Sequence, residues 1–297
     1  MAQRMIFRSA PRFVSRSTRG PAHSRLVASF AALAVMLAAS DGGAQLSNVE
    51  QKCIKKANKA SFRISALQGR DINRCVKLAF NERTPAGETA DTCVSGDLWS
   101  KVSFAQAAVT LVRARRCAPA PPFGLGDQDE AINAPSDRRL DLLEDIIGDD
   151  LENTITHFAD DARDAKCQFL ALRRVDALAN IMARVFGICA RVELKLFTAS
   201  PQTLETCLGR VPTQVKVAKL AGKLGQQFTA INGKCAGTNT DTLFPGRCVG
   251  SGDLVGCLRN LVDCRMCQIL AAVDDISVDC DIHDNGQSDG SCPVVAP

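Results

Sequence analysis

The chain has 297 residues, with 36 Lys and Arg against 32 Asp and Glu, and a formal net charge of +4. The first 44 residues hold six arginines and one acidic residue, which leaves 30 basic and 31 acidic residues in the rest of the chain. This near balance excludes the strongly basic composition that is typical of proteins binding nucleic acids or acidic membrane surfaces.

Residues 1–44 have the organisation of a signal peptide. An arginine-rich, acid-free stretch precedes the apolar run LVASFAALAVMLAA and the small-residue site GGA, which predicts secretion with cleavage after Ala44. The apolar run is shorter than the roughly 20 residues of a spanning helix, so we expect no membrane span after cleavage. The Arg- and Ser-rich leader also fits mitochondrial import. We expect a secreted or periplasmic protein, with the mitochondrial intermembrane space as the alternative.

All 14 cysteines lie after the leader. An exported chain meets oxidising conditions, and an even number of cysteines there is typical of a disulfide framework, so we expect seven disulfide bonds. His157 and His283 are the two histidines of this part, and no H-E-x-x-H motif occurs. The sequence therefore offers little support for an enzyme.

The cysteine spacing indicates an internal repeat. Three cysteines recur after 114 residues and a fourth recurs after 118. The corresponding residues are Cys53 and Cys167, Cys75 and Cys189, Cys93 and Cys207, and Cys117 and Cys235. We expect a helical hairpin in residues 45–120, a Pro- and Gly-rich connector in residues 121–136, and connecting helices with a second hairpin in residues 137–240.

Each copy has the pattern of two helices joined by a turn. Apolar residues spaced by three and four positions run from Cys53 to Leu67, and a similar pattern runs from Leu98 to Val112. Helix geometry separates Cys53 from Cys75 by about 33 Å, so these two cannot bond to each other. In an antiparallel hairpin the helix ends meet, which predicts nested disulfides. The expected pairs are Cys53–Cys117, Cys75–Cys93, Cys167–Cys235 and Cys189–Cys207.

The nested pairing resembles the hairpins of the coiled-coil-helix-coiled-coil-helix family, in which two helices each carry two cysteines, although the spacing here is longer. The helical repeats and the tail VDCRMC…DCDIHDNGQSDGSC also resemble uncharacterised secreted bacterial Cys-rich proteins. The first resemblance concerns disulfide geometry alone, and the second implies no particular activity. From the periodicity we expect an all-α fold of two disulfide-braced antiparallel hairpins and a small Cys-rich C-terminal region.

The C-terminal region, residues 241–297, holds six cysteines, which allow 15 pairings. They are Cys248, Cys257, Cys264, Cys267, Cys280 and Cys292. Cys264 and Cys267 have the two-residue gap of a redox or metal pair, but they lie inside a helical pattern, whereas a thiol oxidoreductase has this motif at the start of a helix. We expect structural disulfides rather than zinc, and keep an extracytoplasmic thiol-disulfide enzyme as the alternative function.

The tail segment DCDIHDNGQSDG partly matches a calcium loop. Asp281, Asn285 and Asp289 stand at ligand positions one, five and nine, but His283 and Cys292 occupy positions three and twelve, where oxygen ligands are required. We therefore favour a polar turn closed by a disulfide and expect neither a metal nor another cofactor.

Charge is unevenly distributed after the leader. The first helix is basic, whereas residues 140–162 contain eight acids and no Lys or Arg. Such segments are ordinarily solvated helix faces, although they can steer partners. Few aromatic residues interleave the basic ones, so we expect no nucleic-acid binding. The sequence predicts a non-enzymatic scaffold or binding protein whose partner is an unknown protein or an envelope component.

Overall fold

The computed structural model describes residues 46–196, 199–209 and 215–292. The predicted signal peptide, residues 1–44, lies outside the described residues. The described part of the chain forms eleven helices and no strand. These are α1 Asn48–Phe80, α2 Ala90–Ser95, α3 Lys101–Arg116, α4 Gln128–Ile147, α5 Leu151–Thr154, α6 Ala162–Glu193, α7 Pro201–Gly209, α8 Val215–Cys235, α9 Thr240–Leu243, α10 Leu254–Asp274 and α11 Cys280–Asn285. None of these helices is long and apolar enough to cross a membrane.

The first hairpin is built on α1, a helix of 33 residues. A capping box starts it, because the Ser47 hydroxyl accepts from the Glu50 N–H while the Glu50 carboxylate accepts from the Ser47 N–H. Cys53, Ala57 and Ile64 recur on its buried face, as the sequence pattern predicts. This face packs against α3, which returns antiparallel.

The returning half of this hairpin is broken, whereas the sequence predicts one continuous helix. α2 ends before Gly96, and α3 begins after a turn in which Asp97 and Ser100 have positive φ. The Asp97 carboxylate accepts from N–H groups of the first turn of α3 and so stabilises the new helix start. Leu98, expected on the buried face, lies in this turn and is 38% exposed.

The second hairpin is built on α6, which packs against α7 and α8. Asp161 caps α6 by accepting from the N–H groups of Arg163 and Asp164. The long helices α1 and α6 also pack on each other, with the rings of Phe62 and Phe186 edge to face at a centroid distance of 6.2 Å. The two hairpins therefore share one core.

Helices α4 and α10 complete this core, since α4 packs against α1 and α10, and α10 packs against α6. α4 begins at Gln128, inside the predicted connector of residues 121–136, because Asp127 caps its first turn. Arg265 of α10 donates from Nε and Nη2 to Asp145 of α4, at 2.7 and 3.1 Å, in a buried bidentate pair. Residues 128–136 of the predicted connector therefore belong to helix α4.

Gly69 lets α1, α4 and α6 approach each other. The buried Arg139 of α4 forms an ion pair with the half-buried Asp176 of α6, directly against the backbone of α1 at Gly69. A β-carbon at Gly69 would collide with both the guanidinium and the carboxylate. We therefore expect Gly69→Ala to lower the free energy of unfolding by about 1 to 3 kcal/mol, measured by denaturant melts.

Gly187→Ala is the matched control for this substitution. Gly187 also lies in a long helix, but a β-carbon there meets no described atom within 4 Å. Because alanine favours the helix over glycine, this variant should gain about 0.5 to 1 kcal/mol. Equal effects of the two substitutions would contradict the packing assigned to Gly69.

Candidate functional site

All 14 cysteines form disulfide bonds. The two hairpins contain the nested pairs that their spacing predicts: Cys53–Cys117, Cys75–Cys93, Cys167–Cys235 and Cys189–Cys207. The C-terminal region, where the sequence leaves the pairing open, has the pairs Cys248–Cys257, Cys264–Cys292 and Cys267–Cys280. The inner bridges of both hairpins span 18 residues, and the outer ones span 64 and 68.

Cys264 and Cys267 do not bond to each other. They lie one turn apart on α10, where Cys264 bonds to Cys292 and Cys267 bonds to Cys280. Both are fully buried. The two-residue gap therefore does not mark a disulfide between these two residues.

The partial calcium motif forms a polar turn instead of an ion loop. Its first ligand positions belong to α11, and the two carboxylate oxygens of Asp281 accept from the N–H groups of Cys292 and Gly290, each at 2.9 Å. Asp289 accepts from the N–H of Ser291 and from the Asn285 side chain. These hydrogen bonds lower the pKa of Asp281 and Asp289. The proposed ligand oxygens are thus engaged within the turn.

A carboxylate lies beside one tail disulfide. The Asp284 carboxylate and the sulfurs of Cys264 and Cys292 lie within 4.8 Å of one another. Burial raises the pKa of Asp284, whereas a hydrogen bond from the Ser291 hydroxyl lowers it. Metal binding requires thiolates, and these two sulfurs are bonded to each other. In the oxidised protein this cluster offers a single carboxylate, which is not a metal centre.

Every exposed side chain of α1 between residues 52 and 77 is basic. These eight residues, termed the basic ridge, are Lys52, Lys55, Lys56, Lys59, Arg63, Arg70, Arg74 and Lys77. At 100° and 1.5 Å per residue, they fall within a sector of about 100° and extend over about 38 Å. All other side chains of this stretch are buried or half-buried, so the exposed strip of α1 carries charge of one sign.

Within the described residues, none of the eight basic side chains forms an ion pair. Arg74 lies over the Trp99 ring, 3.9 Å from its centroid. Asp71 is the one acid between residues 52 and 77, and it is buried, with 3% exposure. Burial raises the pKa of Asp71, whereas Lys101 and Arg74 lower it. The ridge therefore presents unpaired positive charge to solvent.

A cleft of about 190 Å³ borders the N-terminal end of the ridge. Lys52 and Lys55 of α1 line it together with Arg191 of α6 and Lys195, which follows α6. The other lining residues are Asn48, Gln51 and Leu194. The lining thus contains four basic side chains and no acidic one, and it extends the basic ridge onto a second helix.

A second cleft, of about 510 Å³, has acidic walls that include Glu152 and Asp160 together with His157. His157 Nδ1 lies 3.0 Å from the carbonyl oxygen of Ala79. Because a carbonyl only accepts, Nδ1 carries the proton. Glu152 accepts from the N–H of Ala90 at 2.8 Å. These two side chains therefore tie the acidic segment to the end of α1 and the start of α2.

The sequence identified the basic residues of the first helix but not their continuous exposure. The available signal was that all eight fall within one helical sector. The sequence gives no indication that Arg191 and Lys195 join this basic surface, because their position depends on how α6 packs beside α1.

The fold and the disulfides define an all-helical, disulfide-rich protein. No family model matches the chain, and no curated protein or solved structure is significantly similar to it. The two resemblances noted in the sequence therefore stay predictions, and the charged surface of α1 is the best guide to function.

Proposed function

We propose that the chain is an exported, non-enzymatic scaffold that binds a negatively charged partner through the basic ridge. The observation that carries this proposal is the exposed strip between Lys52 and Lys77, in which every side chain is Lys or Arg. A helix face that only keeps a protein soluble usually mixes both signs of charge. A one-signed face raises the local concentration of ligands of the opposite sign.

The disulfides support this role because they hold the ridge at both ends. Cys53–Cys117 and Cys75–Cys93 fasten α1 to the returning half of the hairpin, and their α1 cysteines lie 22 residues apart, beneath nearly the whole ridge. A surface fixed before binding loses less conformational entropy when a partner docks. The backbone that carries the ridge is thus fixed before a partner binds.

The number of disulfides also supports export. Disulfides persist in extracellular, periplasmic and other oxidising compartments and are rare in the cytosol. Together with the predicted cleavage after Ala44, this supports a secreted or periplasmic location, with the mitochondrial intermembrane space as the alternative destination for this leader.

A non-enzymatic role agrees with the placement of the reactive side chains. Cys264 and Cys267, the pair on which the thiol-enzyme alternative depends, are buried and bonded to other cysteines. Catalytic thiols need a partly exposed position where the thiolate is accessible. The His157 ring is hydrogen-bonded through Nδ1 to the carbonyl oxygen of Ala79, near the end of α1.

Reversing two ridge charges tests the proposal. The Lys59→Glu/Arg63→Glu variant changes the middle of the ridge without touching a buried contact. We expect the mature wild-type protein, recovered from the secreted or periplasmic fraction, to cosediment with envelope material from the same cells at low salt. The variant should bind at least about tenfold more weakly, because it loses two attractions and gains two repulsions.

The Arg115→Glu/Arg116→Glu variant is the matched control. Both residues are exposed on α3 and lie outside the ridge, and the change in net charge is the same. This variant should bind like the wild type. Equal losses in both variants would mean that net charge alone governs binding, and retention of the chain in the cytosol would disprove export.

A further inference from the structure

We propose that the partner of the basic ridge is an acidic polysaccharide, a linear sugar chain carrying carboxylate or sulfate groups, which lies along α1. This inference rests on the proposed function and names the chemistry of its partner. It follows from three properties of the ridge: its shape, the side chains that it lacks, and the cleft at its N-terminal end.

The shape of the ridge fits a linear polyanion. The eight cations form one nearly straight strip of about 38 Å, with a mean axial interval of about 5 Å. The longest interval, from Arg63 to Arg70, is about 10 Å. A small anion would contact two or three of these residues. Only an extended ligand with regularly repeated charges engages the strip over its whole length.

The composition of the ridge disfavours a single-stranded nucleic acid. Such ligands stack their bases on exposed aromatic rings. Two aromatic residues beside the ridge are otherwise engaged: Phe62 packs edge-on against Phe186, and Trp99 lies beneath the Arg74 guanidinium. Among the described residues, the exposed strip itself contains Lys and Arg and no aromatic residue.

The same strip disfavours a membrane or an apolar protein interface. Interfacial helices insert large apolar side chains between their cations, and protein interfaces have an apolar, often aromatic centre. The described side chains exposed between residues 52 and 77 include no apolar one. A polysaccharide requires neither inserted apolar side chains nor an apolar centre, because its acidic groups pair with Lys and Arg while its hydroxyl groups stay hydrated.

The basic cleft makes the two ends of the ridge different. At one end of the strip, Arg191 and Lys195 join Lys52 and Lys55 around a volume of about 190 Å³, which equals the liquid volume of about six water molecules. That space accommodates an acidic group with part of its sugar ring. Four cations converge there from α1, from α6 and from the turn after α6, so the cleft is the place where one end of the sugar chain is held most firmly.

The test measures binding of the purified, oxidised mature protein to polygalacturonate and to dextran sulfate, with uncharged dextran as the blank. We expect binding to both polyanions and none to dextran. The affinity should fall at least tenfold between about 50 and 200 mM salt, because each ion contact displaces counterions. Lys59→Glu/Arg63→Glu and Arg191→Glu/Lys195→Glu should each weaken binding about tenfold. Arg115→Glu/Arg116→Glu should leave it unchanged.

Three outcomes overturn the inference. One is equal or tighter binding of oligothymidylate at the same concentration of charge, which would indicate a nucleic acid. Another is equal or tighter binding of phosphatidylglycerol vesicles, which would indicate a membrane. The third is equal weakening by the ridge and the α3 control variants. If ridge-dependent binding to envelope material persists while both polysaccharides fail to bind, the proposed function holds and the polysaccharide inference is wrong.

Discussion

Replacing the outer bridge of the first hairpin, as Cys53→Ala/Cys117→Ala, should lower the free energy of unfolding by about 4 kcal/mol. This bridge spans 64 residues, and closing so long a loop removes more entropy from the unfolded chain than closing a short one. Cys53 is buried, so alanine avoids placing a hydroxyl group in the core. Urea denaturation monitored by circular dichroism measures the change.

Cys248→Ala/Cys257→Ala is the control for this prediction, because that bridge spans only nine residues. The loop-entropy relation gives a loss of about 2.5 to 3 kcal/mol for the short loop. The two losses should differ by at least about 1 kcal/mol, and the long-loop variant should be the less stable. A larger loss for the short bridge would show that local packing, rather than loop closure, determines what these disulfides contribute.

The hairpin disulfides were predictable from sequence because local geometry determines them. Helix rise keeps Cys53 and Cys75 apart, and a turn between two helices of similar length leaves the nested pairs as the ones within reach. The interruption between α2 and α3, at Gly96, was not predicted. The residue that could have indicated it is Asp97, because its carboxylate accepts from N–H groups in the first turn of α3 and so favours a new helix start within the apolar pattern.

The pairing in the C-terminal region could not be predicted, because it depends on tertiary contacts. Cys264 and Cys267 are close in sequence, but their partners are positioned by α11 and the turn that follows, which fold back on α10. The basic surface likewise has a part that local sequence determines and a part that depends on tertiary packing. The basic strip of α1 follows from one helical period, whereas Arg191 reaches it through the packing of α6.

A buried acid shows most clearly what sequence alone does not reveal. Asp274 ends α10 and lies fully buried against Asn58 of α1, 216 residues away. The Asn58 Nδ2 donates to Asp274 Oδ1 at 2.5 Å. The two remaining oxygens, Asn58 Oδ1 and Asp274 Oδ2, have no partner within the described structure. A proton on Asp274 removes the negative charge from this buried site, where no cation forms an ion pair with it among the described residues.

Stability should therefore fall as the pH rises. Burial raises the pKa of Asp274 to about 7, from an ordinary value of 3.8, while the bond from Asn58 lowers it. At a pH between these two pKa values, Asp274 holds a proton in the folded chain but has released it in the unfolded chain. Unfolding therefore releases a proton and becomes easier with increasing pH. The pKa difference of about three units corresponds to about 4 kcal/mol, which is present near pH 4 and lost above pH 7.

Asp274→Asn isolates this contribution from the other titrating groups. The amide is neutral at every pH and keeps an oxygen that accepts from Asn58 Nδ2. The variant should therefore match the wild type within about 1 kcal/mol at pH 4 and exceed its stability by up to about 4 kcal/mol at pH 8. Denaturant melts at both pH values measure the difference. Asp275→Asn is the control: its side chain is exposed and its φ of 54° suits asparagine. An Asp274→Asn gain that is the same at pH 4 and pH 8 would show that Asp274 does not bind the proton.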